Sequence, residues 1–161
     1  MSARVIPSLK LLFHAEVEVG PIETVARLQA GDRRVIPITG GRITPAEPDG
    51  VFRGRILPIG EDWQWARADG ALELVAHYVL ELDTGERIEV LAEGLRHGPA
   101  EVLERLARGE QVDPHEYYFR TAVRLRTDAT DPAVERANRM VLVCAGERRD
   151  RLVCLSFYEV L

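Results

Sequence analysis

Residues 72–82 read Leu-Glu-Leu-Val-Ala-His-Tyr-Val-Leu-Glu-Leu, and this stretch decides the fold class. Its even-numbered positions are all apolar or aromatic, whereas its odd-numbered positions include two glutamates and His77. Successive side chains of a β-strand point to opposite faces, so a period of two residues predicts a strand between two different environments. The stretch therefore indicates a strand with one buried face.

The same alternation extends over most of the chain. It recurs in residues 13–19, 117–127 and 152–160. Turn signals separate these runs, including Asp69-Gly70, a dipeptide that suits the positive φ angles of tight hairpins. Roughly ten closely spaced strands predict an all-β protein. Unbroken hairpins favour a closed antiparallel meander β-barrel, because closure removes exposed strand edges. We expect one domain over residues 1–161.

One segment departs from the period of two. Residues 99–108 place Val102, Leu103 and Leu106 at helical spacing, between Pro99 at the start and Gly109 at the end. A helix of about ten residues is marginal by itself and needs a docking surface. We expect this short helix to pack its apolar stripe across one mouth of the barrel.

Composition excludes several classes of function. The chain has 161 residues, 46% hydrophobic and 29% charged, with a formal net charge of −5. An acidic chain of this kind is not expected to bind nucleic acid or an anionic membrane surface. No phosphate-binding loop or dinucleotide fingerprint occurs, so we expect no cofactor of that kind. The first residues lack the apolar core of a signal peptide, and no run approaches the about 20 apolar residues of a membrane span. We therefore expect a cytoplasmic protein.

The densest group of candidate site residues lies in residues 60–70. Trp63 and Trp65 are expected to bind a flat apolar ligand, since aromatic rings supply large contact areas. Asp62 beside such rings is a candidate general base, because burial raises the pKa of a carboxyl group. The alternative interpretation assigns both tryptophans to the core and Asp62 to a turn.

Three further stretches carry candidate residues. His77 titrates near neutral pH and is a candidate proton carrier beside Tyr78, a candidate ligand contact. Tyr118 is a candidate proton donor, and Arg120 on the same face is a candidate cation for a carboxylate or enolate. Arg34 could face inward and bind the ligand. Each residue also has a structural interpretation: a surface histidine, an aromatic core strand, and arginines paired with nearby carboxylates.

The histidines and cysteines show no metal-binding spacing, so we expect no metal site. Cys144 and Cys154 are predicted to lie on one face of a terminal hairpin, as small buried side chains. The loop of that hairpin is predicted over Gly146–Asp150.

Several longer strings resemble the uncharacterised bacterial family known as domain of unknown function 3237, or uncharacterised protein family 0311. They follow one another in the same order over nearly the whole chain: Arg33-Arg-Val-Ile-Pro-Ile-Thr-Gly-Gly41, Leu57-Pro-Ile-Gly-Glu-Asp-Trp-Gln64, Gly94-Leu-Arg-His-Gly-Pro-Ala-Glu-Val102 and Gly109-Glu-Gln-Val-Asp-Pro-His-Glu-Tyr-Tyr-Phe-Arg-Thr121. The resemblance implies a compact β-barrel and no assigned reaction. Three places depart from the family pattern. Glu61 replaces a small residue, His77 replaces an arginine, and Ala133–Arg139 keeps Asn138 without the aromatic and leucine that usually precede it.

Three functions remain open from the sequence. The chain could be an enzyme without cofactor that moves a proton on a small apolar or aromatic molecule, in isomerase, cyclase or lyase chemistry. It could also be a carrier without catalytic activity. In the third case, the barrel is solid and its outer face contacts a partner, for which a homo-oligomer is the expectation.

Overall fold

The computed structural model describes residues 3–161 and consists mainly of antiparallel strands. Ten strands follow the chain: β1 (Leu9–Val19), β2 (Glu23–Leu28), β3 (Gly31–Pro45), β4 (Gly54–Ile56), β5 (Gly60–Arg67), β6 (Leu72–Leu82), β7 (Arg87–His97), β8 (Tyr118–Arg126), β9 (Leu142–Arg149) and β10 (Leu152–Val160). Two short α-helices, α1 (Ala100–Ala107) and α2 (Pro132–Glu135), and 3-10 turns over Pro114–Glu116 and Arg136–Arg139 complete the described chain.

The strands close into a barrel, as the sequence predicts. From β5 to β10 each strand pairs with the next, β10 pairs with β1, β1 with β3, and β3 with β5. Eight strands therefore form the closed ring, while β2 extends β3 at its edge and β4 bridges β3 and β6. The prediction of a closed antiparallel barrel is confirmed, with two of the ten strands outside the ring.

Strand β3 continues through Gly40 and Gly41 to Pro45. Gly41 has a φ of 138°, and a Cβ atom there would lie 2.2 Å from the carbonyl oxygen of Glu16 on β1. Only glycine combines this backbone angle with so close an approach. The pair lets one strand contact β5 along its first half and β1 along its second half.

One end of the barrel is filled by an apolar core. The ring of Phe13 stacks on those of Phe52 and Phe157, with centroids 4.7 and 4.3 Å apart. Leu80, Ile88 and other inward-facing side chains surround this stack. The short elements of residues 132–139 also contribute buried Val134 and Ala137 to it. The aromatic stack therefore fills this end of the lumen.

Helix α1 packs against the opposite end of the barrel. Its buried residues Val102 and Leu106 are four positions apart and share one helical face. They contact a second apolar cluster that includes Leu72 and Leu74 of β6 and Phe119 of β8. The predicted helix and its docking stripe are thus confirmed, and α1 lies beside the mouth on which the site residues converge.

Candidate functional site

The lumen between the aromatic core and α1 contains a cavity. Its wall is mostly apolar, with contributions from Val17, Ala92 and Leu155 among others. Six polar side chains from five strands also line it: Asp62, Gln64, Tyr78, Arg96, Thr121 and Arg148. The centre of a water molecule can move over about 60 Å³ of this space. A single water molecule needs roughly 10–15 Å³ by the same measure, so the cavity has room for about four.

A chain of hydrogen bonds links three polar residues at this site. Gln64 Nε2 donates to Asp62 Oδ2 over 2.8 Å, and Arg34 Nη2 donates to Gln64 Oε1 over 2.8 Å. Asp62 and Gln64 are two residues apart on β5 and therefore point to the same face. Arg34 pairs with Gln64 in the register of β3 and β5. The side-chain amide of Gln64 thus connects the carboxylate to the guanidinium.

Two more arginines face Asp62 from the other side of the barrel. Arg96 on β7 and Arg148 on β9 line the cavity. Burial lowers the pKa of Arg96 to about 10, and the positive charges of Arg148 and Arg34 act in the same direction. Burial likewise lowers the pKa of Arg148 and of Arg34. All three arginines remain charged at neutral pH and act on the Asp62 carboxylate, while Asp32 and Asp150 also act on Arg34 and Arg148, respectively.

The pKa of the Asp62 carboxyl group lies well above its ordinary value. Burial raises its pKa from the ordinary 3.8 to about 6, despite the hydrogen bond from Gln64 and the three nearby guanidiniums. The desolvation of the carboxylate therefore outweighs these favourable contacts. Asp62 is mostly ionised at neutral pH, yet it accepts a proton more readily than an ordinary aspartate.

The site also contains polar atoms that have no partner. Among residues 3–161, four buried side-chain polar atoms lack a hydrogen bond: Arg34 Nε, Asp62 Oδ1, Tyr78 Oη and Arg96 Nε. An unpaired buried polar atom costs on the order of 1–3 kcal/mol, so folded proteins rarely keep several together. Three of the four belong to residues that line one cavity. The unpartnered polar atoms are thus concentrated at one cavity.

Two tyrosines at this end of the barrel differ in their partners. Burial raises the pKa of Tyr78 well above its ordinary value, so its phenol stays neutral and can donate a hydrogen bond. Tyr117 Oη instead accepts a hydrogen bond of 3.0 Å from the backbone N–H of Arg148. Tyr117 therefore has a structural partner, whereas the hydroxyl of Tyr78 has none within residues 3–161.

Three of the sequence-predicted site residues converge here. Asp62 and Tyr78 line the cavity, and Arg34 joins them through Gln64. Their catalytic and binding roles remain predictions.

The structure does not bring the other five predicted residues to the lumen. Trp63, Trp65, His77, Tyr118 and Arg120 all point away from it, because each has a lumen-facing neighbour one position away in its strand. Trp63 Nε1 donates to Glu61 Oε2 over 2.9 Å, and His77 Nε2 lies 3.5 Å from Glu89 Oε2. These five residues therefore do not share the lumen with Asp62, and their predicted catalytic and binding roles remain predictions.

The outward-facing aromatic and basic residues of β8 form their own contacts. The ring of Tyr118 stacks on that of His97 with centroids 4.8 Å apart, and the Arg120 guanidinium lies 5.5 Å from the Tyr118 ring centre. Tyr118 is 45% exposed. These residues lie on the outer surface of the barrel.

Sequence reasoning missed Gln64, Arg96 and Arg148. Arg96 lies in step with Ile88, Val90 and Ala92 on β7, so an extended alternation would have found it. Arg148 was hidden because Gly146–Asp150 reads as a loop, whereas β9 continues to Arg149. The turn itself is short, and Asp150 adopts a φ of 48° there.

The two cysteines lie on opposite faces of the terminal hairpin, contrary to the prediction. Cys144 faces inward opposite Phe157, whereas Cys154 pairs with Glu147 and faces outward. Burial raises the pKa of the Cys144 thiol to about 12. Both cysteines are free, and the Cys144 thiol is inert at neutral pH.

None of the helices within residues 3–161 has the length and hydrophobicity needed to cross a membrane. That part of the chain also brings together no group of three or more histidine, cysteine, aspartate or glutamate side chains with metal-binding geometry.

Known proteins of similar sequence and structure cover the whole barrel. The UPF0311 protein RPA1785 of Rhodopseudomonas palustris is 34% identical over 152 residues, which span 94% of this chain and 95% of the relative. Its crystal structure, described as a conserved protein of unknown function, superposes with a TM-score of 0.90 at 33% identity over 98% of this chain and 100% of the other.

Two further solved structures share the fold. A beta-barrel like protein of Acinetobacter baumannii has a TM-score of 0.83 and 33% identity, with 100% of both chains covered. A protein of Penicillium herquei, described as an enzyme, has a TM-score of 0.72 and covers 100% of this chain and 99% of its own. At 20% identity, the likeness to the latter concerns the fold alone.

The family model described as Protein of unknown function (DUF3237) matches residues 7–160. This range includes all ten strands and every residue of the cavity. The resemblance noted in the sequence is thereby confirmed: the chain belongs to the DUF3237 family of proteins of unknown function.

Proposed function

We propose that the chain binds a small organic molecule in the lumen and transfers a proton on it without a cofactor. The reaction class is that of an isomerase, cyclase or lyase. The single observation that supports this proposal is the clustering of unpartnered Asp62 Oδ1, Tyr78 Oη and Arg96 Nε around one cavity. A purely structural lumen would gain stability from apolar side chains at these positions, since unpaired buried polar atoms are costly.

The three groups have complementary chemistry. Asp62 Oδ1 would accept a proton from a carbon or oxygen atom of the ligand, since its pKa of about 6 lies near neutral pH. The electron pair released by that proton stays on the ligand as an enolate or alkoxide. Arg96 and the neutral phenol of Tyr78 would stabilise this charge by hydrogen bonds in a water-poor site. Return of the proton to another atom gives an isomer, as in an isomerase. Ring closure gives the cyclic product of a cyclase, and loss of a leaving group gives the elimination product of a lyase.

The described barrel fold is compatible with catalysis, because the Penicillium herquei protein that shares it is described as an enzyme. A carrier remains the main alternative for this chain, since the same three polar atoms could serve affinity alone. The two functions differ in what happens to the bound molecule after it enters the lumen.

Mass spectrometry tests the binding step. We expect protein purified from its source to show a native mass above its denatured mass, and the difference identifies the retained molecule. Ala76→Leu would fill part of the cavity, whereas Val75→Leu adds one carbon on the outer face and serves as the matched control. Loss of the extra mass in Ala76→Leu alone places the molecule in the lumen. Equal native and denatured masses in wild type, with no binding from a small-molecule library, would overturn the proposal.

A second experiment separates the enzyme from the carrier. The identified molecule is incubated in D₂O with wild type and with Asp62→Asn, and deuterium incorporation or product is followed by NMR. Catalysis predicts exchange or turnover that Asp62→Asn lowers at least a hundred-fold, within the range of general-base contributions of about 10²–10⁴. Release of the unchanged molecule, with no exchange by wild type, would support a carrier.

An interaction surface on the outer face is a second candidate function. Trp63, Trp65, Val75 and Leu95 line a shallow groove there, and Leu95 is 38% exposed. Partly exposed apolar side chains in one patch are typical of protein contacts. We expect a homo-oligomer through this face. The native mass spectrum reports the oligomeric state, and Leu95→Glu should lower it if this face is the contact.

A further inference from the structure

The lumen has an excess of positive charge. Two arginines, Arg96 and Arg148, line the cavity with one carboxylate, that of Asp62, and Arg34 lies beside them. Asp32 and Asp150 also act on Arg34 and Arg148, respectively, but neither lines the cavity. The nearby phenols of Tyr78 and Tyr117 have raised pKa values and are uncharged at neutral pH. Within residues 3–161, none of the ion pairs shorter than 4 Å includes any of these arginines. Other arginines form such pairs on the outer surface, as Arg42 does with Glu16 over 2.7 Å.

Partly buried cations without a matching anion are unfavourable, because charge that leaves water must be paired or hydrogen-bonded. The barrel nevertheless lines one cavity with the guanidiniums of Arg96 and Arg148, and that of Arg34 binds Gln64 beside it. An anionic ligand would resolve this imbalance, since it supplies both the missing charge and the missing hydrogen-bond acceptors.

The free atoms favour a carboxylate over other anions. Arg96 Nε and Arg34 Nε are both buried and unpartnered. A carboxylate binds side-on to a guanidinium by accepting from Nε and one Nη, so a free Nε is the donor that this geometry requires. A phosphate group needs hydrogen-bond donors for three or four oxygens, whereas most of this cavity wall is apolar.

The other end of the cavity restricts the rest of the molecule. Beyond the arginines the wall continues as Ala92, Leu155 and Phe157 toward the aromatic core. Free space equivalent to about four water molecules limits the enclosed part to a few carbon atoms. A longer body would have to extend out beneath α1.

We propose that the ligand of this lumen is a small monocarboxylate, with its carboxylate on Arg96 and Arg148 and its short apolar body toward Tyr78 and Phe157. This inference rests on the proposed function and names its substrate class. Arg34 contributes from the Gln64 side. Asp62 then lies beside the carbon atoms next to the carboxylate, where removal of a proton yields an enolate-like charge that the arginines stabilise.

Calorimetry with matched pairs of molecules tests the charge requirement. Acetate, butyrate and hexanoate are titrated into wild type beside butyramide, a neutral molecule of nearly the same shape as butyrate, and beside inorganic phosphate. We expect butyrate to bind at least ten-fold more tightly than butyramide, because hydrogen bonds to a charged group are the stronger ones. Phosphate that binds more tightly than butyrate would overturn the inference.

Variants locate the binding site. Arg96→Gln should weaken butyrate binding at least ten-fold, whereas Arg124→Gln, a change of the same kind on the exposed face of β8, should leave it unchanged. Should Arg96→Gln fail to fold by circular dichroism, Arg96→Lys keeps the charge and loses the side-on geometry, and we expect it to weaken butyrate binding less than Arg96→Gln does. Unchanged binding in the folded Arg96 variant would overturn the inference.

The two proposals fail in distinguishable ways. One outcome would overturn the carboxylate inference and still support a ligand-binding lumen. In that outcome, neutral molecules bind wild type but not Ala76→Leu, and butyrate does not displace them. The absence of binding by both charged and neutral probes, together with equal native and denatured masses, would overturn both.

Discussion

Gln64 holds Asp62 by one carboxylate oxygen only, through a hydrogen bond of 2.8 Å from Nε2 to Oδ2. The other oxygen, Oδ1, is buried and has no partner within residues 3–161. One amide therefore orients the carboxylate and leaves its second oxygen available in the lumen. This division of roles between the two oxygens is what a positioned proton acceptor requires.

Asp62→Asn should change how stability depends on pH. The pKa of Asp62 rises from 3.8 to about 6 on folding, so the folded protein binds this proton more tightly than the unfolded chain does. That stabilising contribution is fully present below pH 4 and is lost as pH rises through 6. Linkage gives a loss of roughly 3 kcal/mol for wild type that the variant does not share. The free energy of unfolding in urea, measured for both proteins from pH 4 to 8, checks this difference.

The groups that face Asp62 are Gln64 on its own strand, Tyr78, Arg34, Arg96 and Arg148. Asp69→Asn serves as the control of opposite sign, because the Ala71 backbone N–H and the Arg67 guanidinium lower the pKa of Asp69. The stabilising contribution of Asp69 is present above its ordinary pKa and is lost as pH falls. A difference between wild type and Asp62→Asn that does not vary with pH would contradict the assigned shift.

Gln64→Leu should raise the pKa of Asp62 above 6. The substitution removes the hydrogen bond to Oδ2 and leaves burial, the larger effect on this carboxyl group, in place. It also frees Arg34 Nη2 from its bond to Oε1, so we expect the free energy of unfolding to fall by about 1–3 kcal/mol. The carboxyl carbon of Asp62, followed by NMR over a pH titration, reports the pKa directly. An unchanged midpoint would mean that Gln64 does not hold the ionised form.

Tyr78→Phe and Tyr117→Phe form a matched pair. Both remove one buried hydroxyl, but only that of Tyr117 has a partner, the backbone N–H of Arg148 at 3.0 Å. Tyr117→Phe should therefore lower the free energy of unfolding by about 0.5–1.5 kcal/mol. Tyr78→Phe should leave it unchanged or slightly raised, while weakening ligand binding. Thermal unfolding of both variants is the measurement, and equal destabilisation would show that Tyr78 has a hidden partner.

Leu106→Ala tests the attachment of α1. Leu106 is 7% exposed and packs with Leu72, Leu74 and Phe119, so its truncation should lower the free energy of unfolding by about 2–4 kcal/mol. Leu91→Ala removes the same atoms from a side chain that is 38% exposed on the outer face, and should cost much less. Hydrogen exchange adds a local reading: amides of α1 should lose protection first. A smaller effect for Leu106 than for Leu91 would contradict the docking.

The amino-acid sequence by itself determined the class of fold, because alternation and turn dipeptides are local properties. The strand of residues 72–82, the helix at Ala100–Ala107 and the candidate base Asp62 all follow from a few neighbouring residues. What the sequence left open was the direction of each face. If the assignment of faces along β5 is shifted by one residue, Trp63 faces the lumen in place of Asp62. Only closure of the barrel decides which of the two side chains points inward.

The tertiary structure alone decided which charges meet. Arg34, Arg96 and Arg148 are separated by 62 and 52 positions in the sequence, and no local pattern relates them. They converge because β3, β7 and β9 belong to one closed ring and because β9 continues past the apparent loop to carry Arg148 inward. The electrostatic interaction of these groups depends on their distances across the lumen. Those distances are set by the pairing of the strands and cannot be read from the composition.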